Sequence, residues 1–293
     1  MPISLTSSSS TECDFSEWSV VEASRDRLVE ALAFLYLQQE ENALRIIQNL
    51  TPRRRIPKGR VAENVVEKLT APKPADLDLL ISGNEEQRKT AEDRIKTSIW
   101  HRDGLLFQHV SWIAARKSIP NGYMTSPHVR QADKGFDGFI IQFDSANKQL
   151  ERVILCEDKA SSSPRSLITK SVWNEIKAII RGERDDEVLA DLATLLKAVP
   201  GLSAEGTEDV VDAIFWDQVR QFRVSVATGE DHRRVGGFEY LVSGFETVAP
   251  GPLPTRMGGV MAFEDLRKGL QLLANEVIAK VMLVAGEGRL EDV

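Results

Sequence analysis

Four ionisable residues stand out because their types and spacing suit metal-dependent phosphate chemistry. Asp137 begins an apolar, β-rich run, and Glu157, Asp158 and Lys159 end a second one. Side chains alternate between the two faces of a strand, so Glu157 and Lys159 point one way and Asp158 points the other. Carboxylates suit Mg²⁺ and Mn²⁺, and a nearby lysine can offset charge on a phosphate. These residues predict a divalent-metal site with a lysine beside it.

A β-hairpin is the predicted element that brings these residues together. Residues 136–143 and 150–156 are its strands, and turn-forming residues centred on Asn147 join them. Hairpin pairing keeps the sum of partner numbers constant, so this turn places Asp137 opposite a residue near Glu157. The two carboxylates and the lysine amine then converge at one open end of the sheet.

The pattern D…E-D-K formed by these residues resembles the D-(E/D)-x-K signature of the PD-(D/E)xK nuclease superfamily, which includes restriction endonucleases and many anti-phage effectors. Phe136 stands where the superfamily usually has a proline. The order strand, turn, strand, E-x-K and helix also matches, and the resemblance covers about residues 104–228. It implies an α/β fold with a restriction-endonuclease-like core, namely a mixed central sheet of about four strands flanked by helices.

The resemblance also implies roles for individual residues. Asp137 and Glu157 would bind Mg²⁺ or Mn²⁺, with the backbone carbonyl of Asp158 as a further ligand. Lys159 would orient the attacking water and offset charge that develops on the phosphate. Gln108, on a predicted amphipathic helix before the hairpin, matches a glutamine that reaches into the site of some restriction and defence nucleases. A polar surface position is the alternative for Gln108.

Basic residues around the hairpin are candidates for contacts with a nucleic acid. Arg130 and Lys134 precede it in a loop-like segment, and Arg165 and Lys170 follow it. The whole chain has a net charge of −7, but residues 101–182 contain 12 Lys and Arg against 8 Asp and Glu. A locally basic segment around a carboxylate site suits a phosphate substrate. The expected partner is therefore a nucleic acid, with DNA as the expected substrate.

The chain is predicted to have two regions. Residues 1–100 form an α-helical N-terminal region, with a disordered Ser/Thr-rich start from Met1 to about Cys13. Residues 101–293 form the nuclease-like domain, in which 222–228 is a third core strand beside the hairpin and 238–242 a fourth. The helical region contains no motif of its own. Its open roles are gating, specificity, and binding of a regulatory or helicase-type protein or a second copy.

Several classes of site are excluded by the motifs that are missing. The sequence contains no H-E-x-x-H, no P-loop and no G-x-S-x-G elbow. Two isolated cysteines, Cys13 and Cys156, form neither a disulfide framework nor a zinc site, and Cys156 is expected to be buried. No signal-peptide pattern and no apolar run of membrane-spanning length is found. The protein is therefore expected to be soluble and cytoplasmic, with no membrane partner.

Three functions are consistent with these residues. The first is a metal-dependent nuclease that hydrolyses phosphodiester bonds, in restriction or anti-phage defence by analogy. The second is a catalytically inactive module that keeps the nuclease fold and binds nucleic acid. The third is a structural subunit of a defence complex, with the acidic helical part as its interface. An ordinary hairpin with exposed charges at its end is the alternative without any site.

Overall fold

A mixed α/β architecture is seen in the computed structural model, which describes residues 1–53, 55–127, 136–144, 149–197, 199–200, 202, 204–214, 219–234 and 236–286. Helices cover both faces of one sheet. The strands are β1 (Ile3–Ser9), β2 (Asp14–Val20), β3 (Tyr123–Met124), β4 (Gly138–Phe143), β5 (Leu150–Ala160), β6 (Arg220–Gly229) and β7 (Arg256–Phe263).

The α-helices are α1 (Arg25–Tyr36), α2 (Glu40–Ile47), α3 (Val61–Leu69), α4 (Pro74–Ser82), α5 (Glu85–Ser118), α6 (Pro164–Leu167), α7 (Trp173–Ile180), α8 (Asp185–Leu196), α9 (Ala204–Ile214), α10 (Phe245–Val248) and α11 (Leu266–Gly286). A π-helical turn, Ile168–Val172, joins α6 to α7. Such turns are frequent near functional sites.

The sheet has seven strands in the order β1-β2-β7-β6-β5-β4-β3. The central strands β2, β7, β6 and β5 are parallel, whereas β1, β4 and β3 are antiparallel to their neighbours. The prediction of an α/β class with a mixed sheet is confirmed, but the predicted number of about four strands is wrong. The strand predicted at residues 222–228 is confirmed as β6, which lies beside the hairpin strand β5.

The start of the chain is a strand, so the prediction of disorder from Met1 to about Cys13 is wrong. Ile3 and Leu5 of β1 pack into the core, and β1 pairs along its whole length with β2. The Ser and Thr residues between and after them gave this strand a polar composition. Exposed positions on an edge strand tolerate such residues, and this is why composition alone misidentified it.

Two further strand predictions need correction. Residues 239–242 form a 3₁₀ helix instead of a fourth strand, because the buried Leu241 and Val242 pack against the sheet rather than within it. Conversely, β7 lies partly in a Pro/Gly-rich stretch that suggests a loop. Its Gly258 and Gly259 leave room for aromatic rings of β2, since a Cβ at either position would clash with Phe15 or Trp18.

Helix α5 is a single helix of 34 residues, although the sequence predicts two helices separated near Gly104. The predicted N-cap at Asn84 is confirmed, and it forms a capping box with Gln87. The predicted division between residues 100 and 101 falls inside this helix. The C-terminal half of α5 packs on the sheet and carries Gln108 toward the hairpin.

The two faces of β5 pack against different helices. Ile154 and Cys156 belong to the core cluster that contains α1, α5 and α11, and Cys156 is buried as predicted. Val153 and Leu155 belong to the opposite cluster, which contains α7 and α8. This alternation determines which layer each residue at the end of β5 meets.

Helix α11 corrects the expectation that no apolar run reaches membrane-spanning length. By length and composition alone it could cross a membrane, with a mean hydropathy of 1.4. Its Leu270, Leu273 and Val277 are buried in the core cluster that contains α1. Its Leu272, Met282 and Leu283 are exposed.

Candidate active site

The hairpin register places Asp137 opposite Glu157. Strand β4 pairs Gly138 with Cys156, Phe139 with Leu155 and onward with a constant sum, so the predicted pairing is confirmed. Residues 145–148 of the predicted turn lie outside the described residues. The open end of the hairpin, rather than its turn, therefore carries the ionisable groups.

Both carboxylate oxygens of Asp137 are held by groups from the predicted site. Gln108 Nε2 donates a hydrogen bond to Asp137 Oδ1. The backbone N–H of Asp158 donates to Asp137 Oδ2 over 2.7 Å, and Lys159 Nζ lies 3.3 Å from the same oxygen. Gln108 thus reaches into the site and is not merely a polar surface position. The structure brings these four residues together.

Glu157 is almost completely buried, with 1% of its surface exposed. Its Oε1 forms an ion pair with Lys159 Nζ, whereas Oε2 has no hydrogen-bond donor among the residues that the structure describes. Burial, and then the negative charge of Asp137, raise the pKa of Glu157 well above its usual value, although Lys159 acts in the opposite direction. A cation near Oε2 would favour the ionised form.

Lys159 connects the two carboxylates, since its Nζ contacts both Asp137 and Glu157. Burial acts to lower the pKa of Lys159, but the charges of Glu157 and Asp137 outweigh it, so the pKa is raised and the amine is charged. The Lys159 side chain is 25% exposed against 2% for Glu157. The site therefore opens to solvent at the lysine.

The donor set fits a divalent cation that binds through oxygen. Two carboxylates face one point, and one buried carboxylate oxygen has no protein donor in the described part of the chain. Within the same described residues, no three His, Cys, Asp or Glu side chains form a ready-made metal cluster. Asp137 and Glu157, with the Asp158 carbonyl that the resemblance implies, are thus the ligand set available.

The side chain of Asp158 points away from this site, as the strand alternation predicts. Its Oδ1 accepts a hydrogen bond from Ser111 Oγ over 2.5 Å and lies 3.6 Å from Arg223 Nη1. Burial raises the pKa of Asp158 to about 6, while Arg223 opposes the shift. Asp158 therefore has two roles, because its backbone faces Asp137 and its side chain anchors the interior.

Sequence reasoning missed three residues around the site: Ser111, Arg223 and Glu175. Arg223 interrupts the apolar run of β6, and a charge in a buried strand indicates a buried partner. Glu175 accepts a hydrogen bond from Ser171 Oγ over 3.1 Å, and its charge contributes to the raised pKa values of Glu157 and Lys159. Nothing in the sequence around Ser111 or Glu175 distinguishes them.

The basic residues predicted to contact nucleic acid have different environments. Arg165 Nη1 donates to the backbone carbonyl of Leu241 over 3.0 Å, so its guanidinium is partly used to hold the 3₁₀ segment. Lys170 is exposed on the π-helical turn. Arg130 and Lys134 lie outside the described residues. Lys170 is thus the predicted contact that is accessible in the described part.

Comparison with known proteins assigns no family to this chain. No family model, curated protein or solved structure matches it.

Proposed function

We propose that this protein is a metal-dependent nuclease with a restriction-endonuclease-like core that hydrolyses phosphodiester bonds in DNA. One observation carries the proposal: Lys159 Nζ contacts both Asp137 and Glu157 at the open end of the hairpin. The ammonium supplies the positive charge that two close carboxylates require. A divalent cation, Mg²⁺ or Mn²⁺, would supply the same charge beside a lysine that is then free to act on a phosphate.

Each site residue has a defined task in this proposal. Asp137 and Glu157 hold the cation, which when bound polarises the phosphate and lowers the pKa of a bound water. Gln108 fixes the Asp137 carboxylate through Oδ1. Lys159, positively charged and partly exposed, orients the water and stabilises negative charge on the phosphate as it develops.

The wider biological role in this proposal follows from the resemblance alone. Restriction or anti-phage defence in the cytoplasm would place the chain beside a regulatory or helicase-type partner or a second copy. A plaque assay that compares the wild-type chain with Lys159→Met tests that role. An inactive nucleic-acid-binding module with the same fold is the alternative outcome of the experiments below.

The decisive experiment incubates the purified protein with plasmid, linear DNA and RNA in the presence of Mg²⁺, Mn²⁺ or EDTA. We expect cleavage that requires the metal. Lys159→Met should abolish cleavage yet retain Mn²⁺ binding, because lysine supplies charge and a donor but no metal ligand. Asp137→Asn should lose both. Isothermal titration with Mn²⁺ measures binding separately from cleavage.

The matched control is Glu151→Gln, which changes an exposed carboxylate on the same strand. It should leave cleavage and Mn²⁺ affinity unchanged. Wild-type protein that binds nucleic acid but neither binds Mn²⁺ nor cleaves would support the inactive module instead. Cleavage by Lys159→Met at the wild-type rate would refute the role of the lysine.

A further inference from the structure

A buried polar cluster joins α5, β5 and β6 directly behind the candidate site. Arg223 Nη1 donates to Ser111 Oγ over 2.8 Å, and Nη2 donates to the Ser111 backbone carbonyl over 3.2 Å. Ser111 Oγ in turn donates to Asp158 Oδ1. The three residues are 0 to 7% exposed. The guanidinium also lies over the ring of Trp18, with 5.0 Å between its carbon and the ring centre.

This cluster is linked to Asp137 along two routes. The first is Asp158 itself, whose side chain the cluster anchors and whose backbone N–H binds Asp137 Oδ2 at 2.7 Å. The second is α5, on which Ser111 lies three residues after Gln108, the residue that binds Asp137 Oδ1. Residues three apart share one helix face. Both groups that hold Asp137 are therefore fixed by the same three side chains.

We propose that Arg223 is a positioning residue, which sets the orientation of the Asp137 carboxylate and hence the affinity of the site for a divalent cation. Arg223 touches neither Asp137 nor Glu157 in the contacts described. It acts through Ser111 and Asp158, which it holds with a forked set of donors that lysine cannot reproduce in full. The inference deepens the proposed function, because it assumes that Asp137 belongs to a metal site.

Outer residues that orient metal ligands typically change metal affinity by about 10-fold to 100-fold when they are replaced. Arg223→Met should therefore weaken Mn²⁺ binding by about 10-fold or more. Arg223→Lys keeps the charge and one donor, so it should restore part of this affinity. Ser111→Ala removes the bridging hydroxyl but keeps the Arg–Asp pair, and its effect should lie between those of the wild type and Arg223→Met.

Arg256→Met is the matched control for lost stability. Arg256 is also a buried arginine, on the neighbouring strand β7, and it is 2% exposed. It donates to backbone carbonyls of Ala249 and Gly251, which do not belong to the candidate site. Arg256→Met should lower the midpoint of thermal unfolding as Arg223→Met does, but it should leave Mn²⁺ affinity unchanged.

The experiment measures Mn²⁺ affinity by isothermal titration of the full chain, at a temperature below the unfolding midpoint of every variant. NMR measures exchange of the Asp158 amide proton without metal, and exchange should accelerate in Arg223→Met and Arg223→Lys but not in Arg256→Met. Unchanged Mn²⁺ affinity and unchanged amide exchange in the Arg223 variants would overturn the inference. If Arg223→Met does not fold, Arg223→Lys and Ser111→Ala decide the matter.

The two proposals can fail separately. Wild-type protein that binds no Mn²⁺ defeats the metal-dependent function, and exchange of the Asp158 amide then decides by itself whether Arg223 positions this backbone. Wild-type protein that binds Mn²⁺ but cleaves nothing also defeats the nuclease function. In that case the Mn²⁺ affinities of the variants still decide the positioning role.

Discussion

The Asp158 carboxylate has the environment of a structural residue, although it sits between two residues of the candidate site. From the sequence, Asp158→Ala is predicted to be mild, because the side chain faces away. The buried contacts with Ser111 and Arg223 change that expectation. Alanine would leave the Arg223 guanidinium buried without its carboxylate, and breaking a buried pair in this way costs about 3–5 kcal/mol. Urea denaturation of the variant measures this loss.

Glu151→Ala provides the comparison on the same strand, where the side chain is exposed. It should change the free energy of unfolding by less than about 0.5 kcal/mol. Equal stability of Asp158→Ala and Glu151→Ala would show that the buried contacts of Asp158 contribute nothing net. It would also weaken the case that the cluster fixes the site.

Lys170 and Arg165 are expected to respond differently to neutralisation. Lys170 is exposed, so Lys170→Gln should lower nucleic-acid affinity and reduce the slope of log K against log salt by roughly 0.7–0.9 if it contacts one phosphate. Arg165 binds the Leu241 carbonyl, so Arg165→Gln should also lower stability. Fluorescence anisotropy at several salt concentrations measures the slope. Lys89→Gln, exposed on the first half of α5, should change neither quantity.

At the scale of elements, α5 offers a direct test of why the sequence suggested two helices. Gly104 is a weak helix former, yet it lies inside α5, and a Cβ there would meet no atom within 4 Å. Gly104→Ala should therefore stabilise the protein by about 0.5–1 kcal/mol. Gly83, just before this helix, is the contrast, since a Cβ there would clash with the Leu79 carbonyl. Gly83→Ala should lower the thermal midpoint, and a rise would contradict the described packing.

The elements that the sequence predicts well are those with local signals. The hairpin has alternating strands around a turn, and its register follows from arithmetic on residue numbers. The N-cap at Asn84 likewise depends on residues within one turn. In contrast, β1 and β7 are strands because of distant partners: β1 pairs with β2, and the glycines of β7 accommodate aromatic rings of β2. Composition gives little indication of such pairings.

The same distinction applies to the candidate site. Asp137, Glu157 and Lys159 share one hairpin, so their convergence could be predicted from strand alternation. Ser111 and Arg223 contact each other across 112 positions, and no local pattern links them. The available signal was an arginine within the otherwise apolar β6, which indicates a buried partner without naming it. Predicting that partner requires the order of the strands.

At the scale of the whole molecule, the first and last parts of the chain share one sheet and one core. Strand β2 pairs in parallel with β7, and Leu28 and Leu32 of α1 belong to the same buried cluster as Leu270 and Val277 of α11. The buried Asp103 of α5 forms ion pairs with Arg102 and with Arg267 of α11. These contacts cross the predicted division at residue 100.

We therefore expect the full chain to unfold as one cooperative unit. A fragment of residues 101–293 should fail to fold, because it lacks β1, β2 and α1 and would expose Leu270 and Val277 to water. Circular dichroism of the fragment tests this directly. In the full chain, hydrogen exchange in β2 and in β5 should report the same free energy of opening. A fragment that melts cooperatively near the midpoint of the full chain would contradict this expectation, and residue 100 would then be a true domain boundary within a continuous helix.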